Sequence, residues 1–68
     1  MLDELMVEYS KTVEMINEAK RLRDEKRTDK ALNALTEAIK SAKKNQFKDL
    51  MSTTGKLLSE LTLNKQNK

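Results

Sequence analysis

The stretch LRDEKRTDKA, residues 22–31, decides how this chain folds. Leu22 closes one apolar stripe and Ala31 opens another, nine residues later. At about 100° per residue, nine helical steps amount to a half-turn beyond whole revolutions, so the two stripes would face opposite ways on one helix. DEKRTD, residues 24–29, is the only wholly polar segment between them, and the chain must bend there. Thr28 or Asp29 is the expected cap of the helix that follows, because a short side-chain oxygen accepts from the free amides of a first turn.

Upstream of the bend, Leu2, Leu5, Tyr9, Val13, Ile16, Ala19 and Leu22 recur at spacings of three and four, with Met6 and Met15 beside them. This is one helix face running from about residue 2 to about residue 26. Downstream, Ala31, Leu32, Leu35, Ala38, Ile39 and Ala42 form the second stripe. Phe47, Leu50, Met51, Thr54, Leu57, Leu58 and Leu61 form a third, displaced in phase, with KKNQ at 43–46 as the break and Asn45 as its candidate cap. A single bent helix would also satisfy the second break. With no proline and one glycine, helix is the expected state throughout.

The expected fold is therefore all-α: a three-helix up-down-up bundle with a long first helix, which dimerisation could complete. Residues 1–63 form the single domain, and 64–68 (NKQNK) a frayed polar tail with nothing to bury. At 68 residues, with 37% hydrophobic residues and only Tyr9 and Phe47 aromatic, burial barely offsets chain entropy, which favours a partner.

Ala31-x3-Leu35-x2-Ala38 resembles the small-large-small spacing in the second helix of a tetratricopeptide unit. Ala19 and Gly55, close to one repeat length apart, would stand at the small position of successive first helices. Glu18 departs from that pattern, where an apolar residue is expected, and such repeats normally come in threes. Any alanine-rich helix packed closely on another gives similar spacing, and the alanines of the second stripe let its neighbours approach closely.

Chemistry is sparse. Cysteine and histidine are absent, which removes disulfides and the usual zinc ligands. It also leaves Ser10, Ser41, Ser52 and Ser59 with no imidazole to activate them, so no enzyme is expected. STTGK, residues 52–56, looks like part of a phosphate-binding loop, but Leu50 and Leu57 stand where that loop needs glycine and a hydroxyl. It reads instead as a weak turn of helix. Glu4/Glu8 and Glu14/Glu18 are i,i+4 pairs that could hold a cation, yet Lys11 and Arg21 lie a turn away as counter-charges for Glu14 and Glu18. No cofactor, metal or small-molecule substrate is expected.

MLDELMVEYS carries acids where a secretory signal needs bases, and no run is long enough to span a membrane, so a cytoplasmic site is expected. The lysine and asparagine bias fits an AT-rich genome, such as that of a low-GC bacterium or its phage. Charge is split along the chain. Residues 1–25 hold seven acids against four bases, whereas residues 26–68 hold four against ten.

Two surfaces stand out. A first helix of about 25 residues spans roughly 37 Å and a second of about 16 roughly 24 Å, so the second covers the first only to about residue 10. Leu2, Leu5, Met6 and Tyr9 are then left as an apolar end rimmed by Asp3, Glu4 and Glu8. The expected function is a protein–protein interaction module (an adaptor, inhibitor or assembly subunit) that binds another protein or a second copy of itself there. The alternative is an accessory nucleic-acid binder using Lys40, Lys43, Lys44 and Lys48. The other basic cluster, KRLRDEKRTDK at 20–30, is diluted by Asp24, Glu25 and Asp29.

Overall fold

A computed structural model describes the backbone of residues 2–66 and the side chains of residues 4–63. It consists of three helices, α1 (Leu2–Asp24), α2 (Thr28–Asn45) and α3 (Lys48–Gln66), with no strand among the described residues. The second break is therefore a true one, and two separate helices follow the bend. The helical backbone continues through residues 64–66, and the rest of the tail expected to fray lies outside the described residues. No helix of the described residues is long and apolar enough to cross a membrane.

Both corners use the same device. At the first, Lys26 is left-handed (φ 62°), the Arg27 N–H donates to the Leu22 carbonyl at 2.8 Å, and the Lys26 N–H to that of Arg23 at 2.9 Å. At the second, Gln46 is left-handed (φ 59°), the Phe47 N–H donates to Ala42 at 2.9 Å and the Gln46 N–H to Lys43 at 3.3 Å. These are Schellman caps, which satisfy carbonyls a helix end would otherwise leave open. The next residue begins the following helix at once, since the carbonyls of Arg27 and Phe47 accept from Ala31 and Met51, each at 2.9 Å.

The expected caps are corrected accordingly. Arg27, not Thr28 or Asp29, holds the N-cap position of α2, without a side-chain cap bond. Asp29 lies in the first helical turn, where its charge suits the helix dipole. Asn45 closes α2 rather than opening α3, and its amide donates to the Ser41 carbonyl at 3.0 Å.

α2 lies between the other two and packs on both, while α1 and α3 meet at few points. A middle helix has to offer two contact surfaces, and small side chains let both neighbours approach closely. Ala31, Leu35, Ala38 and Ala42 are accordingly fully buried. Ile16, Ala19 and Leu22 meet them from α1, and Leu50, Leu57 and Leu61 from α3.

The apolar stripes hold with local changes. Thr12 rather than Val13 is the fully buried residue of its turn, and Val13 is half-buried. Its hydroxyl bonds the Glu8 carbonyl at 2.7 Å and the Ser41 hydroxyl at 2.6 Å, which ties α1 to α2. Thr54 is buried as the third stripe requires, its hydroxyl turned onto the Met51 carbonyl at 3.0 Å. Met51 and Leu58, at the margin of that stripe, remain exposed.

Candidate partner-binding surface

Tyr9 marks where cover on α1 ends. Its hydroxyl donates to Asp49 Oδ2 at 2.5 Å, and its ring meets that of Phe47 edge-on, with centroids 5.0 Å apart and planes at 73°. The hydrogen bond to Tyr9 is the main cause holding the Asp49 carboxyl below its ordinary range, and backbone amides at the start of α3 help. The same bond, more than burial or charge, raises the Tyr9 phenol above its ordinary value. The α2–α3 corner thus sits level with Tyr9, and earlier residues of α1 lie beyond it.

Beyond the corner, Leu5 is 47% and Met6 68% exposed. Leu5 precedes Thr12 by two turns and Ile16 by three, so it points along the same line as those buried residues. It is exposed because the neighbouring helices stop, and its place on the apolar stripe is unchanged. Val7 is also exposed, but on nearly the opposite side of the helix. The side chains of Leu2 and Asp3 lie outside the described residues. Of the expected site residues, Leu5 and Met6 lie together and open. Tyr9 stands at their border, already engaged by α3, a contact that nothing at sequence level pairs with Asp49.

The charged rim has two signs. Glu4 and Glu8 make no ion pair among the described residues, and neither do Lys43, Lys44 and Lys48 at the corner. Lys40, in contrast, approaches Glu37 at 3.7 Å. The four expected lysines therefore divide, three at the corner and one a turn earlier on α2. The arginines of residues 20–30 are taken up within the chain. Arg21 pairs with Glu18 and, at 2.9 Å, with Glu25, Arg23 bridges to Glu60 at 3.0 Å, and Arg27 approaches Glu25 at 3.6 Å.

A shallow groove between α1 and α2 is floored by Met15 and Ala34 and edged by Lys11, Glu14, Glu18 and Glu37. Arg21 is the counter-charge of Glu18 as expected, whereas Lys11 forms no ion pair with Glu14. No group of three or more acidic side chains among the described residues is placed to hold a metal ion. Comparison with protein-family models, with curated proteins and with solved structures returns no match.

Proposed function

We propose that this is a small helical protein–protein interaction module of the cytoplasm, an adaptor, inhibitor or assembly subunit, that engages its partner through the uncovered end of α1. One observation carries the reading: Leu5 continues the buried stripe of α1 past the point where α2 and α3 stop, with Met6 open beside it. Apolar surface rimmed by charge is the usual composition of an interface. The helices run up, down and up in this reading, which is supported by Tyr9 meeting Asp49 and Arg23 meeting Glu60. Later residues of α1 then meet later residues of α3.

The test is a photo-crosslinking residue in place of Met6, expressed in the native host, with the same residue at Lys20 as control. Covalent protein adducts at position 6 and not at 20 are the expected result. Adducts equal at both positions, or none, sink the reading.

The competing reading is nucleic-acid binding through Lys43, Lys44 and Lys48, favoured by the lack of an ion pair to any of these three among the described residues. Binding to an arbitrary duplex would then fall steeply as salt rises, because each phosphate contact releases a counterion. Glu4 and Glu8 on the neighbouring turns of α1 oppose a phosphate backbone, which is why this reading stands second.

A further inference from the structure

An interface between two copies about a two-fold axis uses the same patch twice, so the patch must be its own complement. The end of the molecule around Tyr9 meets that requirement. Its centre is apolar, with Leu5 and Met6 on α1 and the half-buried Phe47 at the corner. Its two flanks carry opposite charge. Glu4 and Glu8 lie on the first two turns of α1, and Lys44 and Lys48 lie on the corner that Tyr9 touches. None of these four has an ion-pair partner among the described residues, although both signs occupy one end.

Resting on the reading that this end binds protein, we propose that its occupant is the same end of a second copy, with the two α1 ends lying antiparallel. In that arrangement Leu5 packs near the Leu5 of its mate. The helix running past it carries Glu4 and Glu8 toward the other copy's corner, where Lys44 and Lys48 stand. Each chain presents both signs, so the pairing occurs twice. A nucleic acid would meet the lysines alone and be repelled by the carboxylates. A neutral apolar helix would leave all four charges unanswered.

Size sets the expected strength. The free end of α1 before Tyr9 covers only about two turns, roughly 10–12 Å. The corner must therefore contribute for the contact to approach the ~800 Å² per partner typical of stable complexes. Against a total surface of 5144 Å² that is about a sixth, a large share for one end of the molecule to supply, and a micromolar, salt-sensitive dimer is the expected outcome.

The experiment is sedimentation equilibrium from micromolar to millimolar protein, on wild type and on two charge-swapped variants. Glu4→Lys/Glu8→Lys and Lys44→Glu/Lys48→Glu should each dimerise at least tenfold more weakly than wild type. Mixing them in equal amounts should restore wild-type affinity, because every reversed charge then faces its opposite. High salt should weaken the wild-type dimer. Circular dichroism shows whether each variant keeps its helices.

Because the chain has no cysteine, Met6→Cys adds a unique thiol, and rapid disulfide dimers under mild oxidation, absent for Lys20→Cys, are expected whatever the charge variants do. A wild type that stays monomeric at millimolar concentration overturns the proposal, as do folded variants that dimerise normally or fail to recover on mixing. If position 6 still captures a different protein in cells while the wild type stays monomeric, the interaction reading survives and the second copy does not. No protein adduct at position 6 removes both.

Discussion

The Tyr9 hydroxyl donates to Asp49 at 2.5 Å across forty residues of sequence, and this bond fixes the start of α3 against α1 where the shared core ends. The two ionisations it links move in opposite directions. Asp49 is held below its ordinary 3.8, so its contribution to stability is present above that pH and fades as pH falls through the lowered value. Tyr9 is raised above its ordinary 10.0, so the contribution is complete below that pH and fades as pH rises through the raised value. Tyr9→Phe keeps the ring on Phe47 and removes only the hydroxyl. Its melting temperature should fall below that of wild type by at most a few degrees near neutrality, since the pair is exposed. The gap should close in strong acid and in strong base. A gap unchanged in acid would show that the hydroxyl's contribution does not depend on the Asp49 charge.

Gly55 lies on the exposed side of α3, without a positive φ, and a Cβ built there meets nothing within 4 Å. Nothing in the structure requires glycine. Gly55→Ala should therefore stabilise the protein by about 0.5–1 kcal/mol, the ordinary difference between the two in a helix interior. Urea denaturation checks it, and a lower midpoint would show that α3 needs to bend at this point.

The corners offer the converse case. Lys26 and Gln46 adopt φ 62° and 59°, a region where a Cβ crowds the following carbonyl and glycine does not. Lys26→Gly and Gln46→Gly should each stabilise by roughly 0.5–1 kcal/mol. Twenty residues apart and at opposite ends of α2, they should add. A loss at either position would mean that its side chain makes a contact outweighing the strain.

The same corners show where the sequence stops being legible. Helix period and the half-turn between Leu22 and Ala31 locate the first break, because a continuous core forces the phase of each stripe. The smaller phase shift after Ala42 fits a bend as well as a break. The residue that makes the turn carries no such signal, since left-handed caps usually announce themselves as glycine or asparagine and here are lysine and glutamine. Thr12 was hidden for a related reason. A scan for apolar residues passes over a threonine whose hydroxyl is satisfied by Glu8 and Ser41, and settles on Val13 instead. The free end of α1 is readable from helix lengths alone. The grip of Asp49 on Tyr9 is not, because it depends on how far α3 slides along α1.

Core packing should be least forgiving in α2. Leu35 is fully buried among the three helices, and Leu35→Ala should cost about 2–5 kcal/mol. At about 0.05–0.15 kcal/mol per residue, a chain of 68 residues has only some 3–10 kcal/mol in total. Partial unfolding at room temperature is therefore expected. Ala38→Leu tests the opposite fault, since extra methylenes would push both neighbours away at a cost of about 1–3 kcal/mol. Leu63→Ala, at an exposed site, should change stability by less than about 0.5 kcal/mol. If Leu63 mattered as much as Leu35, the assignment of the core to α2 would be wrong.

Thr12 and Ser41 permit a sharper test because their hydrogens can be assigned. A hydroxyl has one proton to give, and Thr12 gives its own to the Glu8 carbonyl at 2.7 Å. The 2.6 Å contact with Ser41 must then run from the serine to the threonine. Ser41→Ala removes a donor and leaves the Thr12 hydroxyl still bonded to Glu8, so it should cost only about 0.5–1.5 kcal/mol. Thr12→Val keeps the shape but takes away the acceptor, leaving a half-buried serine hydroxyl without its partner at about 1–3 kcal/mol. With both changed, no polar group is left stranded at this point. The double variant should then be no less stable than Thr12→Val alone, a departure from additivity that denaturant melts can resolve. Strict additivity would show that water reaches Ser41 from outside, and that the α1–α2 contact at this level is looser than the buried Thr12 implies.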